Sequence, residues 1–347
     1  MPSALRWGIV STGKIANDFV TAIKNVLNPL DHSIIAVSSR SISTARKFAE
    51  RFSIPKVYEG IEDLIQDNEI DVVYIASLNI EHYGMAKAAI EAGKNVLCEK
   101  PMGMNLKMTE SLINLAKEKN VFLMEAIWSR FLPSYSVLRS HLDSIGEVKY
   151  VLVEFGRKIY NERIRRMDLG GGTVLDLGVY CVQFLNLVFK GEEPIEILTT
   201  GSLNSEGTDK NISSIFKYGL NGGGIGIIST HSEINLPCEA KVIGSKGSLT
   251  VKFPFWASEN IEYKLESGNH SELIENPLPV LPKNSNHYYN FVNSAGLAFE
   301  AQHVKECLDK GLKESPLLSF TDITQISKCM EKIRKDVGVV YPQDSEL

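Results

Sequence analysis

Leu5-Arg6-Trp7-Gly8-Ile9-Val10-Ser11-Thr12-Gly13-Lys14-Ile15-Ala16 is an apolar run that stops at a turn of small residues and restarts with helical character. At a strand-to-helix turn of this kind, glycine lets the backbone approach a pyrophosphate, which the orphan N–H groups of the helix can hold. The stretch departs from the GxGxxG pattern, because Ser11 stands at the first glycine and Ala16 at the third. Taken alone it also fits an ordinary tight turn. Its surroundings decide between the two readings. Apolar runs at Ile34 to Ser38, Val72 to Ala76, Val96 to Cys98 and Val121 to Ala126 alternate with helical patterns such as Ser43 to Phe52 and Leu106 to Lys119. Strands separated by helices of this length imply βαβ units and a parallel sheet with both faces covered.

Residues 1–126 are therefore expected to form an α/β Rossmann-like doubly wound parallel sheet domain, with Ser11, Thr12, Gly13 and Ile15 at a dinucleotide. After Trp128 the rhythm changes. A helical stretch, Ser134 to Ser144, is followed by the alternating run Lys149 to Phe155, a Gly-rich segment, and a helix around Leu177 to Val188. From Ile195 to about Lys264 strands and turns dominate, with hairpin signals at residues 218–222 and 244–247, before helices near Gly296 to Lys310 and Thr321 to Val337. Residues 127–347 are expected to form an α+β domain with a large, mostly antiparallel open sheet. Helices should cover one face, and a homodimer contact is the expectation for the other. Gly222-Gly223-Gly224 reads as a hairpin turn, since no helix follows it to hold a phosphate.

Composition narrows the function. Of the 347 residues 44% are hydrophobic and 23% charged, with a net charge of -5, which disfavours a surface built for nucleic-acid phosphates. The short basic run Arg163, Arg165, Arg166 reads as a solvated loop. Five cysteines form no CxxC pair and lie mostly in apolar surroundings, as reduced packed thiols do. Met1-Pro2-Ser3 passes almost directly into the first apolar run, and no window approaches 18 uninterrupted apolar residues. The expectation is a cytoplasmic protein with no membrane or nucleic-acid partner and a small-molecule ligand.

The strand ends carry the candidate chemistry. After the second strand, Ser39 and Arg40 stand where a carboxylate would bind the ribose of NAD, and an arginine beside hydroxyls pairs better with the 2′-phosphate of NADP. Arg40 facing solvent is the alternative. Tyr74 lies within the third apolar run, and Asn79 and His82 follow it at the ligand-binding edge of the sheet; a core tyrosine and a helix-start histidine compete with coenzyme contact. Glu99-Lys100-Pro101 ends the fourth run, and the proline restricts where the lysine points. Asp176 and Tyr180, four apart on the next domain's helix, share a face. Tyrosine is phenolate only about one part in a thousand at neutral pH, and a nearby ammonium such as Lys100 would favour that form. An N-cap aspartate and a packed tyrosine are the structural alternative.

With these residues assembled, the chain resembles the glucose–fructose oxidoreductase/inositol dehydrogenase/MocA family, on Glu99-Lys100-Pro101 and on the segment from Gly170-Gly171-Gly172 through Asp176 to Gly178. The resemblance implies that Tyr180 is the catalytic acid/base, supported by Lys100 and Asp176. It also implies that Glu99, Tyr74, Asn79 and His82 help seat the coenzyme, and that Trp128, Phe155 and Asp176 meet substrate in a cleft between the domains. Most relatives carry histidine where this chain has Tyr180. The tyrosine selects a subgroup, for which the resemblance implies NADP-dependent oxidation of trans-dihydrodiols and of D-xylose. Thr44 stands where that subgroup can place a second arginine, leaving Arg40 alone or with Arg46 at the phosphate. A dehydrogenase for another polyol and a non-catalytic NADP-binding sensor are the competing functions. No metal is expected.

Overall fold

The computed structural model describes residues 4–159, 161–219, 223–267 and 270–345. The chain forms two compact units, one of residues 1–103, 107–131 and 278–320, the other of residues 104–106, 132–277 and 321–347. A single cut at 126/127 therefore does not reproduce them, because a late segment returns to the first unit. The physical reason is apolar. The helix α8 described below carries buried Leu297, Ala298, Ala301 and Val304, and needs a surface to cover.

In the first unit the order is β1 (Leu5–Val10), α1 (Lys14–Val26), β2 (His32–Ser39), α2 (Ile42–Phe52), β3 (Lys56–Glu59) and α3 (Glu62–Gln66). Then come β4 (Val72–Ile75), α4 (Asn79–Glu91), β5 (Asn95–Glu99), α5 (Leu106–Lys119) and β6 (Leu123–Ala126). The strands form one parallel sheet in the order β3-β2-β1-β4-β5-β6. Chain order reverses between β1 and β4, and the crevice at the carboxyl ends of such strands is where open sheets bind ligands. The strands β1, β2, β4 and β5 lie where the apolar runs place them. β3 and α3 were not anticipated, since Lys56-Val57-Tyr58-Glu59 is short and half-exposed.

The first unit's core starts from Trp7, fully buried against Phe19 at 5.2 Å, with Phe19 stacked on Tyr74 at 3.8 Å. Residues 278–296 run along this unit before α8 (Leu297–Asp309) packs on α1. Asp18 of α1 secures that strap. It is fully buried, and its carboxylate accepts the backbone N–H groups of Asn290 and Phe291 and the Ser294 hydroxyl.

The second unit contains α6 (Pro133–His141), β7 (Val148–Gly156), α7 (Val179–Val188), β8 (Glu196–Leu203), β9 (Asp209–Tyr218) and β10 (Gly224–His231). It continues with β11 (Ala240–Gly244), β12 (Gly247–Val251), β13 (Asn260–Leu265), β14 (His270–Glu275) and α9 (Phe320–Asp336). The eight strands order β14-β13-β12-β11-β7-β10-β9-β8, antiparallel except for the β7–β10 pair. The turn at residues 220–222, a predicted hairpin, lies outside the described residues; β9 and β10 on either side pair antiparallel. Alternation along β10 buries every second residue, so one face is covered and the other is open. Leu198, Ile215, Ile227 and Leu152 form a cross-strand row on the open face. The stretch Met167–Val188 is long and apolar enough to cross a membrane, but 94% of its apolar window is buried inside the fold. Its composition serves the core.

Candidate active site

At the end of β1, Ser11 adopts φ 88°, the left-handed region in which glycine is the usual residue. Its N–H donates to the Ser38 carbonyl at 2.9 Å, and its hydroxyl accepts the Gly13 N–H at 3.3 Å. Gly13 is the N-cap of the 13-residue α1, and no side chain caps that helix. A Cβ on Gly13 would lie 3.6 Å from Ser11 Oγ and occupy the hollow over the helix start. Ser11, Thr12 and Ile15 are half-exposed around it, and Gly13 is exposed. This cradle of N–H groups at a helix N-terminus fits a dinucleotide pyrophosphate. Ser39 is half-exposed and Arg40 exposed at the end of β2, next to the Ser41–Ser43 hydroxyl pair, and Arg40 makes no ion pair among the described residues.

The Lys100 turn is built on buried polar groups. Glu99 accepts the Tyr74 hydroxyl at 2.6 Å on one oxygen and the Lys100 N–H at 3.3 Å on the other. Tyr74 is fully buried, so it offers no surface to a coenzyme. Its ring sits in the core against Phe19, and its hydroxyl holds Glu99. His82 is buried as well, with Nδ1 2.8 Å from the Pro101 carbonyl and Nε2 3.2 Å from that of Ser77. The ring thus ties the turn after β4 to the turn bearing Lys100, which is itself half-exposed. Asn79, the first residue of α4, is also buried.

One further carboxyl supports this turn and another is buried within the influence of Glu99; neither was singled out from sequence. Glu125 accepts the Met102 N–H at 2.8 Å, and burial, with Glu99 adding to it, pushes its carboxyl up to about 7. Glu300 of α8 is fully buried, and burial together with Glu99 holds it well above the usual carboxylate range. The only signal for either was an acidic residue inside an apolar pattern.

In the second unit Tyr180 is 7% exposed. Its ring lies 5.8 Å from that of Phe155, and Phe155 stacks at 3.8 Å on Trp256. Arg157 lies over the rings of Phe253 and Trp256. Trp256 is thus a wall residue that the sequence reading missed; the run Phe253-Pro254-Phe255-Trp256 was its signal. Trp128, by contrast, is a buried residue of a 3₁₀ turn in the first unit.

Asp176 does not start an α-helix. It lies in a π-turn, Val174–Gly178, in which the Val179 N–H reaches back to the Val174 carbonyl. Arg163 donates to Asp176 Oδ1 at 2.8 Å, and that carboxylate holds the guanidinium above its usual range. The solvated-loop reading of Arg163 is therefore corrected: one of the run's three arginines makes this ion pair, while Arg166 pairs with Asp168 at the surface. The glycines before the π-turn are forced by contact. A Cβ on Gly171 would sit 2.5 Å from the Arg163 carbonyl, and one on Gly172, at φ 115°, 2.4 Å from Asp209 Oδ1. Chemically, this unit offers a phenol in an aromatic wall and, four residues before it in the chain, a carboxylate held by arginine. Lys100 lies in the other unit.

Residues 5–127 match the model of an oxidoreductase family with an NAD-binding Rossmann fold, and residues 139–250 match the GFO/IDH/MocA C-terminal domain. Trans-1,2-dihydrobenzene-1,2-diol dehydrogenase of Xenopus tropicalis is 39% identical over 342 residues, covering 98% of this chain and 100% of that protein. The Mus musculus protein of the same name is 40% identical over 344 residues, covering 98% and 99%. Among solved structures, levoglucosan dehydrogenase in complex with NADH and levoglucosan superposes with a TM-score of 0.82 at 17% identity, covering 96% of this chain and 97% of that one. KijD10, a 3-ketoreductase from Actinomadura kijaniata in complex with NADP and TDP-benzene, gives 0.79 at 22%, covering 98% and 99%. Two matched domain models in the expected order, with relatives of about 40% identity along the whole chain, make this protein a member of the GFO/IDH/MocA family of oxidoreductases.

Proposed function

We propose that the chain is an NADP-dependent dehydrogenase that oxidises a secondary carbinol, with trans-dihydrodiols of aromatic hydrocarbons and D-xylose as substrates. The observation that carries this reading is Tyr180, a phenol seated against Phe155 and the stacked Trp256, a flat apolar wall suited to an unsaturated ring. The names of the full-length relatives support the dihydrodiol. D-xylose presents the same H–C–O–H unit at C1.

The dinucleotide, when bound, supplies the acceptor for the hydride. Ser11 to Ile15 hold its pyrophosphate at the start of α1, and Arg40 meets the 2′-phosphate, which favours NADP. Tyr180 takes the hydroxyl proton while the carbinol C–H leaves with its electron pair. Lys100 supplies positive charge for the developing alkoxide, and Asp176, fixed by Arg163, orients a substrate hydroxyl. The ketone from a dihydrodiol tautomerises to a catechol, whereas oxidation at C1 of the pyranose gives a lactone directly. Five free, buried cysteines suit a reducing compartment, and we place the protein in the cytoplasm. A homodimer through the open face of the second sheet would cover Leu198 and Ile215, 57% and 44% exposed. Ile215→Lys should then halve the mass seen in sedimentation.

The deciding assay offers dihydrodiols, pentoses and other polyols with NAD⁺ and NADP⁺ and follows absorbance of the reduced coenzyme. Turnover of a dihydrodiol with NADP⁺, lost in Tyr180→Phe while NADPH still binds, is the expected result. Full activity in Tyr180→Phe refutes the base assignment. Tight NADPH binding without turnover of any substrate points to a sensor.

A further inference from the structure

The π-turn that carries Asp176 and precedes Tyr180 begins on one buried carboxylate. Asp209, the first residue of β9, is 1% exposed. Its Oδ2 accepts the Thr173 hydroxyl at 2.6 Å and the Val174 N–H at 2.7 Å. Thr173 Oγ1 is also 2.7 Å from Thr230 Oγ1 on β10. Strand, hydroxyl pair and turn thus meet at one point, and the negative charge lies at the helix start, where the dipole favours it. Gly172 completes the arrangement, because any Cβ there would strike Asp209 Oδ1.

We propose that Asp209 is a positioning residue for proton transfer at Tyr180: by fixing Thr173 and Val174 it holds the π-turn and so sets the direction in which Asp176 and Tyr180 project. This rests on the reading of Tyr180 as the base. An α-helix advances about 100° per residue, so letting the extra residue of the π-turn relax would rotate Asp176 against Tyr180 by about that angle. A merely structural cap would alter stability and leave the chemistry alone.

The carboxylate has one titratable neighbour among the described residues, the buried Tyr341 phenol, which donates to the Gly171 carbonyl and lies beside Arg334 and Asp344. The remaining contacts are the Thr173 hydroxyl and backbone N–H groups. Burial pushes Asp209 up to about 6. Its acceptor strength, and with it the turn, should weaken as pH falls through that value.

The test compares wild type, Asp209→Asn, Asp209→Ala, Thr173→Val and Tyr180→Phe for kcat, KM, NADPH affinity and pH profile. Asp209→Ala should lower kcat about 100-fold, the scale of a misplaced catalytic group, with NADPH affinity unchanged. Asp209→Asn, still an acceptor, should recover most of kcat near pH 7.5 and lack the loss that wild type shows below pH 6. Thr173→Val, which removes the hydroxyl's bonds to Asp209 and Thr230 but leaves the Val174 N–H on the carboxylate, should lower kcat several-fold and decides the matter if Asp209→Ala does not fold. Wild-type kcat in Thr173→Val, or an acid limb unchanged in Asp209→Asn, overturns the proposal while Tyr180→Phe remains dead. An active Tyr180→Phe removes instead the base on which the proposal stands.

Discussion

Replacing Asp18 by alanine should release the strap of residues 287–294 from α1. The carboxylate accepts the Asn290 N–H at 2.9 Å, the Asn290 side-chain amide at 2.7 Å, the Phe291 N–H at 2.9 Å, the Ser294 hydroxyl at 2.7 Å and the Asn17 amide at 2.9 Å. A hydrogen bond to a charged acceptor is worth about 1.5–3 kcal/mol. Asn290 and Phe291 are exposed, so water can satisfy most of their donors once the carboxylate is gone. Ser294 is fully buried. Counting its bond in full and about one further bond for the rest gives roughly 3 kcal/mol. Asp18→Asn keeps one acceptor and should lose about half of that. The strap also touches the coenzyme cradle, because the Asn290 amide donates to the Lys14 carbonyl at 3.3 Å. Weaker NADPH binding should therefore accompany the lost stability. Urea unfolding gives the free energy, and limited proteolysis should show new cleavage between residues 280 and 292. An Asp18→Ala protein within about 0.5 kcal/mol of wild type, with no new cleavage, would refute the strap as a load on this carboxylate.

Glu125→Gln should steepen no longer with pH: the native carboxyl titrates at about 7 against 4.5 for the free group, so its favourable term is complete below 4.5 and lost as pH rises to 7. At about 1.4 kcal/mol per unit this amounts to about 3 kcal/mol, and urea midpoints should show the variant gaining on wild type between pH 5 and pH 8. A variant with the wild-type pH slope contradicts it. Arg163→Leu and Asp176→Asn should show a coupling of about 1–3 kcal/mol in a double-mutant cycle on thermal unfolding; additive effects would mean that the pair is not formed in solution. Arg40→Ala should raise KM for NADP⁺ at least about tenfold and leave that for NAD⁺ unchanged, as steady-state rates with each coenzyme can check.

The first sheet was legible because Leu5 to Val10, Val72 to Ile75 and Asn95 to Glu99 are parallel strands buried at all but Arg6 and Asn95, whose near-continuous apolar runs stand out in any window. Lys56 to Glu59, an edge strand with half-exposed residues, has no such run. The candidate residues were legible where chain position alone marks them, at strand ends and in the Gly-rich segment. Their partners were not. Asp176 meets Arg163 from within a π-turn, and nothing in a one-dimensional pattern distinguishes that turn from the first turn of an α-helix. Tyr74 reads from sequence more as a core aromatic than as a coenzyme contact, and what the sequence does not carry is its setting between Phe19 and Glu99. The return of residues 278–320 to the first unit was hidden for a similar reason, since an amphipathic helix does not state which unit owns its apolar face.

That return governs how the chain is made. The first unit includes residues up to 131 and then 278–320, so a ribosome must add 189 residues between the end of its Rossmann portion and the end of α8's neighbourhood. At about 5–20 residues per second this takes roughly ten to forty seconds. Throughout that interval the side of α1 that α8 will cover, with the Asp18 carboxylate within it, has no partner from the same chain. The coenzyme-binding unit is begun first and finished almost last. A fragment ending at residue 126 would therefore be a nascent-chain intermediate frozen in time, sticky where α8 belongs, and a poor starting point for a minimal dinucleotide-binding module.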